Sequence, residues 1–347
     1  MSTDKLTFLF NWKNVAYHLP VYLAQSRGYF KEQGLQVALL SPQDPSDVTE
    51  IIGSGKIDMG AKAMIHTIAG KANGFPIKSV GTMMDEPFTG LIYLKESGIS
   101  RFEDIKGRKI GYVGHFGLIQ LNELTQYFGL TPNDFTAVRC GMNITQAIKE
   151  GTIDAGIGLE NVQMVELEEW MKSQGKNPDD VKMLRIDELA ELGCCCFCSI
   201  LYIVNEKYLE KNPEKIRKFI VAVKKAADAL IENPKQAWEE YKQFCPEMDT
   251  PIQEKIFERS FIYMSKDVAN VPRDWTKVTN YCKRLGIVSN DFKPNYTNDF
   301  LSWSPDAEVA DPDAKQKEVA AYQRQVATGQ TSVLARVKDA QPILAAA

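Results

Sequence analysis

The sequence predicts an α/β protein made of two lobes, each built on a doubly wound sheet. Short apolar strands alternate with helical patterns over the first 87 residues, and a second set of the same kind runs from about 88 to 190. Beyond residue 200 the patterns are almost all helical. Alternating strands and helices are typical of parallel, doubly wound sheets. A chain of 347 residues is long enough for two such domains.

The first set is defined by apolar runs separated by glycines and by one helix-capping serine. Ser46 is the predicted N-cap of its helix, and Gly34 ends the helix before it. The predicted elements are, in order, a strand at 6–12, a helix at 22–35, a strand at 36–40, a helix at 46–55, and a helical stretch at 62–72 flanked by the strand segments DMG and IKSVGTMM.

The second set and the helical region follow the same logic. Asn212 is the predicted cap of a long helix that has Pro213 at its first position. The predicted elements are strands at 109–113, 135–140 and 154–159, a helix at 162–175, and an amphipathic helix whose apolar positions are Ile216, Phe219, Ile220, Val223, Ala227 and Leu230. The polar segment 303–347 is predicted to be a tail that wraps the surface or a partner.

Two α/β units with a helical return predict the architecture of periplasmic binding proteins of type II. Lobe one would comprise residues 1–87 and 199–302 and would therefore be discontinuous, and lobe two would comprise 88–198. A small molecule would bind between the lobes.

Composition excludes several classes of function. Lys plus Arg is 41 and Asp plus Glu is 45, which gives a net charge of −4. This balance argues against nucleic acid or an anionic membrane as a partner. The N-terminal segment lacks the pattern of a signal peptide, so we expect a cytoplasmic protein in which disulfides are disfavoured.

Lys62 and His66 are the first candidate catalytic pair. If residues 62–72 are helical, these side chains lie four apart on one face. A deprotonated lysine can condense with an aldehyde, and the neighbouring imidazole could move protons or react itself. A surface lysine over a hydrogen-bonded histidine is the structural alternative.

The segment GYVGHFGLIQ at 111–120 is a candidate phosphate site. Gly111, Gly114 and Gly117 lie between a predicted strand and a helix, where backbone amides and a helix N-terminus can hold a phosphate. The spacing matches neither a Rossmann fingerprint nor a Walker loop, and a simple tight turn is the alternative.

Four cysteines stand within five positions, in CCCFC at 194–198. In an extended segment Cys194, Cys196 and Cys198 would share one face, with Cys195 on the other. Such thiols suit a soft or borderline metal such as iron or zinc, although the usual CxxC spacing is missing. A buried strand that uses cysteine as a small apolar residue is the alternative.

Long runs of this sequence resemble the fungal-type synthases of 4-amino-5-hydroxymethyl-2-methylpyrimidine phosphate, the pyrimidine precursor of thiamine. They include PSDVTEIIGSGKIDMG, KAMIHT, KIGYVG, DAGIGLENVQMVELEEW and LGCCCFCSILYI, and the resemblance covers roughly residues 1 to 303.

The resemblance implies a self-consuming enzyme. Pyridoxal 5′-phosphate would be bound as an aldimine at Lys62 and consumed as a substrate. His66 would donate ring atoms to the product, so that each chain acts once. The cysteine motif would be associated with iron, oxygen would be required, and the enzyme would be a homodimer.

The phosphate loop departs from the family pattern Gly-Glu-Phe-Gly-Lys. Here it reads Gly114, His115, Phe116, Gly117 and Leu118, so the glycines are kept and an acid and a base are lost. The first four of these residues are assigned to cofactor binding. Asn11 and Trp12 at the end of the first strand join them, and His18 just beyond them could either bind ligand or be structural.

Two rival functions stay open on the sequence. A non-catalytic pyrimidine-binding protein would share the fold, since fold alone does not fix function. It would not need Lys62, His66 and clustered thiols together. A conventional turnover enzyme using pyridoxal phosphate would account for the lysine but not for the cysteines.

Overall fold

Two five-stranded mixed sheets form the centre of the fold. The computed structural model describes residues 4–85, 87–186, 198–301, 321–322, 325 and 332–334. The first sheet has the strand order β2-β1-β3-β10-β4 and the second has the order β7-β6-β8-β5-β9. The strands are β1 (Asp4–Leu9), β2 (Leu35–Leu40), β3 (Met59–Ala63), β4 (Ile77–Met84), β5 (Thr89–Leu94), β6 (Lys109–Tyr112), β7 (Thr136–Arg139), β8 (Ala155–Leu159), β9 (Val181–Arg185) and β10 (Ile200–Asn205).

Helices cover the faces of both sheets and continue beyond them. In the described part of the chain they are α1 (Leu19–Ser26), α2 (Tyr29–Glu32), α3 (Val48–Gly53), α4 (Met64–Ala72), α5 (His115–Tyr127), α6 (Ile144–Lys149), α7 (Val165–Ser173), α8 (Glu206–Lys211), α9 (Pro213–Glu232), α10 (Pro234–Phe244), α11 (Pro251–Ser260) and α12 (Pro272–Arg284). None of these helices combines the length and the apolar composition needed to cross a membrane.

The prediction of parallel sheets is wrong for one strand of each sheet. β10 pairs antiparallel with β3 and β4, and β5 pairs antiparallel with β8 and β9. Each reversed strand is the first one after the chain passes from one sheet to the other. It therefore enters its sheet from the opposite end, whereas the strands joined by helices within one sheet stay parallel.

The sheets separate the chain much as the sequence indicates. The first sheet takes its strands from residues 4–84 and 200–205, and the second takes its strands from residues 89–185. The lobe limits at 87/88 and 198/199, and the tail from 303, stay predictions, because sheet membership locates strands and not domain edges.

Amphipathic packing on the first sheet follows the predicted helical spacing. All the predicted apolar positions of α9 are buried, and the ring of Phe219 stacks on Phe8 of β1 at 5.2 Å between centroids. Such burial of aromatic surface contributes on the order of 2 kcal/mol per side chain. It holds α9 against the face of the sheet that carries β1 and β3.

Two helix boundaries differ from the prediction. The helix predicted over 22–35 is divided into α1 and α2, because Gly28 adopts φ 73°, a left-handed conformation that interrupts a helix. The helix predicted from Ser46 begins at Val48. The capping side chain is that of Asp44 and not that of Ser46. The Asp44 carboxylate accepts the Ser46 backbone N–H at 2.8 Å at the start of a short 3₁₀ turn that precedes the helix.

Asn205, at the end of β10, connects this strand to α3 and α8 through its side chain. Its side-chain N–H₂ donates to the carbonyl oxygens of Ile52 and Gly53, both at 3.0 Å, and its Oδ1 accepts the Tyr208 N–H at 3.1 Å as the cap of α8. The side chain is 4% exposed. It thus holds the C-terminal end of α3, which leads into β3.

Asn205→Asp should lower the free energy of unfolding by about 3 kcal/mol, because a buried carboxylate would face two carbonyl oxygens. The matched control is Asn233→Asp at the cap of α10, whose Oδ1 likewise accepts a backbone N–H, from Gln236 at 3.1 Å. There a carboxylate should be neutral or slightly stabilising. Urea denaturation of both variants measures the difference, and equal stabilities would refute this role for Asn205.

Candidate active site

The carboxyl ends of β1 and β3 bring the first candidate residues together. These strands are parallel neighbours with Leu9 paired to Gly60. Asn11 and Lys62, each two residues further along, therefore leave the same edge of the sheet about one strand spacing apart. This edge is where ligands bind in open α/β sheets.

Lys62 lies in strand β3, so its prediction as a helical residue is wrong. The strand pairs with β1 on one side and with β10 on the other, and Lys62 is opposite Leu201. Gly60 permits this close pairing, since a Cβ there would collide with the Leu9 carbonyl oxygen. Pairing on both sides overrides the helical propensity of the segment. Lys62 and His66 consequently do not share one helix face.

Burial makes Lys62 a weak base. The side chain is 3% exposed, and Nζ donates a hydrogen bond to the carbonyl oxygen of Pro45. Burial lowers the pKa of Lys62 to about 8, with Asp44 and Asp47 acting in the opposite direction. A substantial fraction of the amine is therefore neutral near physiological pH, as nucleophilic attack on a carbonyl requires.

His66 lies in the first turn of α4, directly after the strand that carries Lys62. Burial holds the pKa of His66 well below its ordinary value, and the positive charges of Lys62 and His115 lower it further. The imidazole is accordingly neutral at pH 7. His115 is the first residue of α5, so the second sheet's side of the molecule contributes to the electrostatic environment of His66.

The glycine loop lies where the two lobes meet. Gly114 is the N-cap of α5 and, as a glycine, supplies no capping side chain, and a Cβ at this position would collide with the Ser46 hydroxyl. Arg139 and Asp44 form an ion pair across the same seam at 2.7 Å. The close approach favours glycine at position 114, since a Cβ would displace the Ser46 hydroxyl. A Cβ at Gly117 would only reach ordinary contact with Tyr112, at 3.4 Å.

His115 and Phe116 are the other residues predicted to bind a ligand in this loop. His115 is exposed at the start of α5, and the side chain of Phe116 is outside the described part of the structure. Ser46, Asp44 and Arg139 were missed by sequence reasoning. These residues belong to no recognisable motif. Asp44 and Ser46 lie at a short 3₁₀ turn and Arg139 ends β7, so only the folded chain brings them together.

A buried polar chain fixes the end of β1. His18 is fully buried, and its Nε2 is 3.0 Å from Asn11 Oδ1, while Asn11 Nδ2 is 3.0 Å from the Tyr17 hydroxyl. Burial lowers the pKa of His18 to about 3, so the ring is neutral and Nε2 donates to the amide oxygen. This supports the structural role for His18. Tyr17 was not anticipated from the sequence.

Trp12 carries a buried hydrogen-bond donor. Its indole Nε1 is buried and has no hydrogen-bond partner among the described residues. A buried N–H donor normally has an acceptor, so this donor is suited to a polar group of a bound molecule.

The cysteine motif is described only at its last residue. Cys198 lies in a turn before β10 and not in an extended strand, so the predicted alternation does not hold there. Cys194, Cys195 and Cys196 lie outside the described residues. Burial raises the pKa of the Cys198 thiol to about 12, while a hydrogen bond with Thr89 acts in the opposite sense. Within the described ranges no three His, Cys, Asp or Glu side chains are arranged to hold a metal ion.

Comparison with known sequences decides the family. The model of the family described as NMT1/THI5 like matches residues 15–237. The chain belongs to the NMT1/THI5-like family. A relative from Aspergillus parasiticus is 65% identical over 313 residues, covering 90% of this chain and 92% of that protein. A relative from Uromyces fabae is 63% identical over 304 residues, covering 87% and 89%. Both are named 4-amino-5-hydroxymethyl-2-methylpyrimidine phosphate synthase, which confirms the resemblance.

Solved structures confirm the fold of this NMT1/THI5-like protein. A Candida albicans protein with the generic periplasmic-binding-protein fold aligns with a TM-score of 0.64 at 15% identity, covering 89% of this chain and all (100%) of that one. The alkanesulfonate-binding protein SsuA from Xanthomonas axonopodis, bound to MOPS, aligns with a TM-score of 0.63 at 13% identity, covering 84% and 96%. At these identities the likeness concerns the fold alone.

The lowered pKa of Lys62 should be visible in folding stability. Between pH 8 and about 10.5 the unfolded chain binds more protons at this position than the folded chain, so the lysine makes stability rise with pH in that window. Relative to Lys62→Met, the parent protein should gain about 3 kcal/mol of unfolding free energy from pH 7.5 to 10.5. Denaturant titrations at several pH values measure this gain, and parallel pH profiles would contradict it.

Proposed function

We propose that this protein synthesises 4-amino-5-hydroxymethyl-2-methylpyrimidine phosphate from pyridoxal 5′-phosphate and its own His66. The names of the relatives from Aspergillus parasiticus and Uromyces fabae supply the product. The observation that carries the proposal for this chain is a buried lysine with a lowered pKa beside a neutral histidine at the seam between two lobes.

Lys62 has the properties needed to hold an aldehyde substrate. It is buried and partly neutral, and it leaves the sheet at the edge where small molecules bind in this fold class. Pyridoxal phosphate would supply the aldehyde and the ring atoms that enter the product. Asn11 would stay fixed by His18 and Tyr17, and Trp12 Nε1 would offer a buried donor.

The phosphate would lie at the N-terminus of α5. The first N–H groups of a helix have no intrahelical acceptors, and the helix dipole favours an anion there. Gly114 leaves room for close approach at this point, and as the N-cap residue it has no side chain to occupy the helix N-terminus. Leu118 stands where the family pattern has a lysine, so the phosphate would be bound by backbone amides.

His66 would act as a reactant and not as an acid–base group. Its imidazole is neutral, so the ring nitrogens keep the lone pairs needed for bond formation. Because atoms of the ring are consumed, each chain would complete one turnover. No neighbouring side chain could replace it.

The clustered thiols would serve an iron ion that supplies the redox chemistry for the reaction with oxygen. Thiolates favour soft or borderline metals, and zinc has no redox activity. Four thiols in five positions are a donor set that fits iron, with Cys194, Cys196 and Cys198 as first ligands and Cys195 in reserve. The enzyme would be a cytoplasmic homodimer.

Non-catalytic capture of a small molecule is the rival function, and the fold favours it. The structural neighbour SsuA is named as a binding protein. Capture alone gives no reason to bury a lysine and keep its amine partly neutral, since desolvating a lysine without using it as a nucleophile only destabilises the fold. Consumption of a residue separates the two functions.

His66→Asn should abolish formation of the pyrimidine while leaving pyridoxal phosphate bound at Lys62. Borohydride reduction followed by mass spectrometry measures the attachment, which should persist in His66→Asn, disappear in Lys62→Ala and persist in the control Lys71→Ala on α4. The parent should release at most one product per chain. Product from His66→Asn, or repeated turnover by the parent, would exclude donation by histidine.

Cys198→Ser should lower bound iron and single-turnover yield together, without affecting attachment at Lys62. Cys245→Ser is the matched control, because Cys245 is a buried thiol outside the motif. Iron content is measured by elemental analysis, with a thermal melt of each variant to detect unfolding. Equal iron in both variants would remove Cys198 from the ligand set.

A further inference from the structure

The C-terminal segment is fastened to α11 through a buried carboxylate. Glu258, which is 9% exposed, accepts the Ser332 hydroxyl and the Leu334 backbone N–H on Oε1, the latter at 3.1 Å. Its Oε2 accepts the Val333 backbone N–H at 2.7 Å. Three donors converging on one carboxylate form a specific anion-binding arrangement rather than a loose surface contact.

Apolar packing reinforces this attachment. Val333 is 1% exposed and Tyr322 is 2% exposed, and both belong to the core that contains the first sheet. The Tyr322 hydroxyl also donates to the Glu258 backbone carbonyl at 3.2 Å. The C-terminal segment is therefore bound both to the side chain and to the backbone carbonyl of Glu258.

The same helix carries the ion pairs that connect it to the second sheet's side of the molecule. Arg259, adjacent to Glu258, donates to Glu160 and Glu168, each at 2.6 Å. Lys255 pairs with Glu169 at 2.5 Å, and the Asn161 amide donates to the Ser260 hydroxyl at 2.9 Å. Residues 160–169 immediately follow β8 of the second sheet.

We infer that the segment around residues 332–334 is a strap that holds the two lobes together through α11. Glu258 fixes the helix to the strap, and Arg259 and its neighbours fix the helix to residues 160–169. Release of the strap removes three hydrogen bonds from a buried carboxylate and uncovers the apolar surface under Val333. Without the strap, α11 is held less firmly and its ion pairs with residues 160–169 weaken. The two lobes can then move apart.

Hydrogen exchange on the full-length protein tests this coupling. Glu258→Gln removes the charge at the helix, and Val333→Asp expels the strap without altering α11. Both should accelerate amide exchange at least about tenfold in residues 251–260 and also in residues 160–169, while α9 is unchanged. Ser332→Ala, a milder change, should accelerate the same two segments to a smaller degree.

Glu254→Gln is the matched control, because Glu254 is an exposed carboxylate on the same helix. It should leave exchange unaltered in both segments. The double variant Glu258→Gln/Val333→Asp should exceed neither single variant, since both break one coupling.

Four outcomes would overturn the inference. They are unchanged exchange at 160–169 in the Val333 and Ser332 variants, an effect confined to Glu258→Gln, additive effects in the double variant, and acceleration spread equally over α9.

Discussion

The burial of Lys62 at the carboxyl end of β3 is the constraint on which the site depends. An ammonium group held away from water loses solvation that Asp44 and Asp47 restore only in part, so the amine gives up its proton at about pH 8. This burial follows from the sheet. β3 has a paired neighbour on each side, and Gly60 lets β1 come close enough to complete the pairing.

Lobe contact adds what the first sheet alone does not provide. Gly114 approaches Ser46, Arg139 forms an ion pair with Asp44, and the electrostatic effect of His115 helps to lower the pKa of His66. The fold is shared with proteins such as the alkanesulfonate-binding protein SsuA, and a shared fold alone does not fix a function. The surroundings of the two candidate side chains keep His66 neutral and leave part of the Lys62 amine neutral.

The sequence predicts the alternation of strands and helices because apolar periodicity records burial directly, as the buried stripe of α9 illustrates. It misplaces Lys62 because alanine, lysine and methionine favour helices locally, whereas strand pairing is a tertiary effect. The antiparallel direction of strands β5 and β10 is not predicted by the sequence pattern. The direction of each strand depends on the sheet from which the chain arrives, which the local sequence does not record. Lys62, His66 and Gly114 can be named as candidate residues from the sequence, and their roles stay predictions. Tyr17, Ser46 and Arg139 become neighbours of the site only through folding.

The central claim is that His66 is consumed. Trypsin releases residues 63–71 as a peptide with His66 as its one histidine. Mass spectrometry of this peptide, before and after the protein is incubated with pyridoxal phosphate, iron(II) and oxygen, tests the claim most directly. The account predicts that the peptide loses mass at His66 in proportion to the pyrimidine formed. An unaltered His66 in protein that has made product would contradict it.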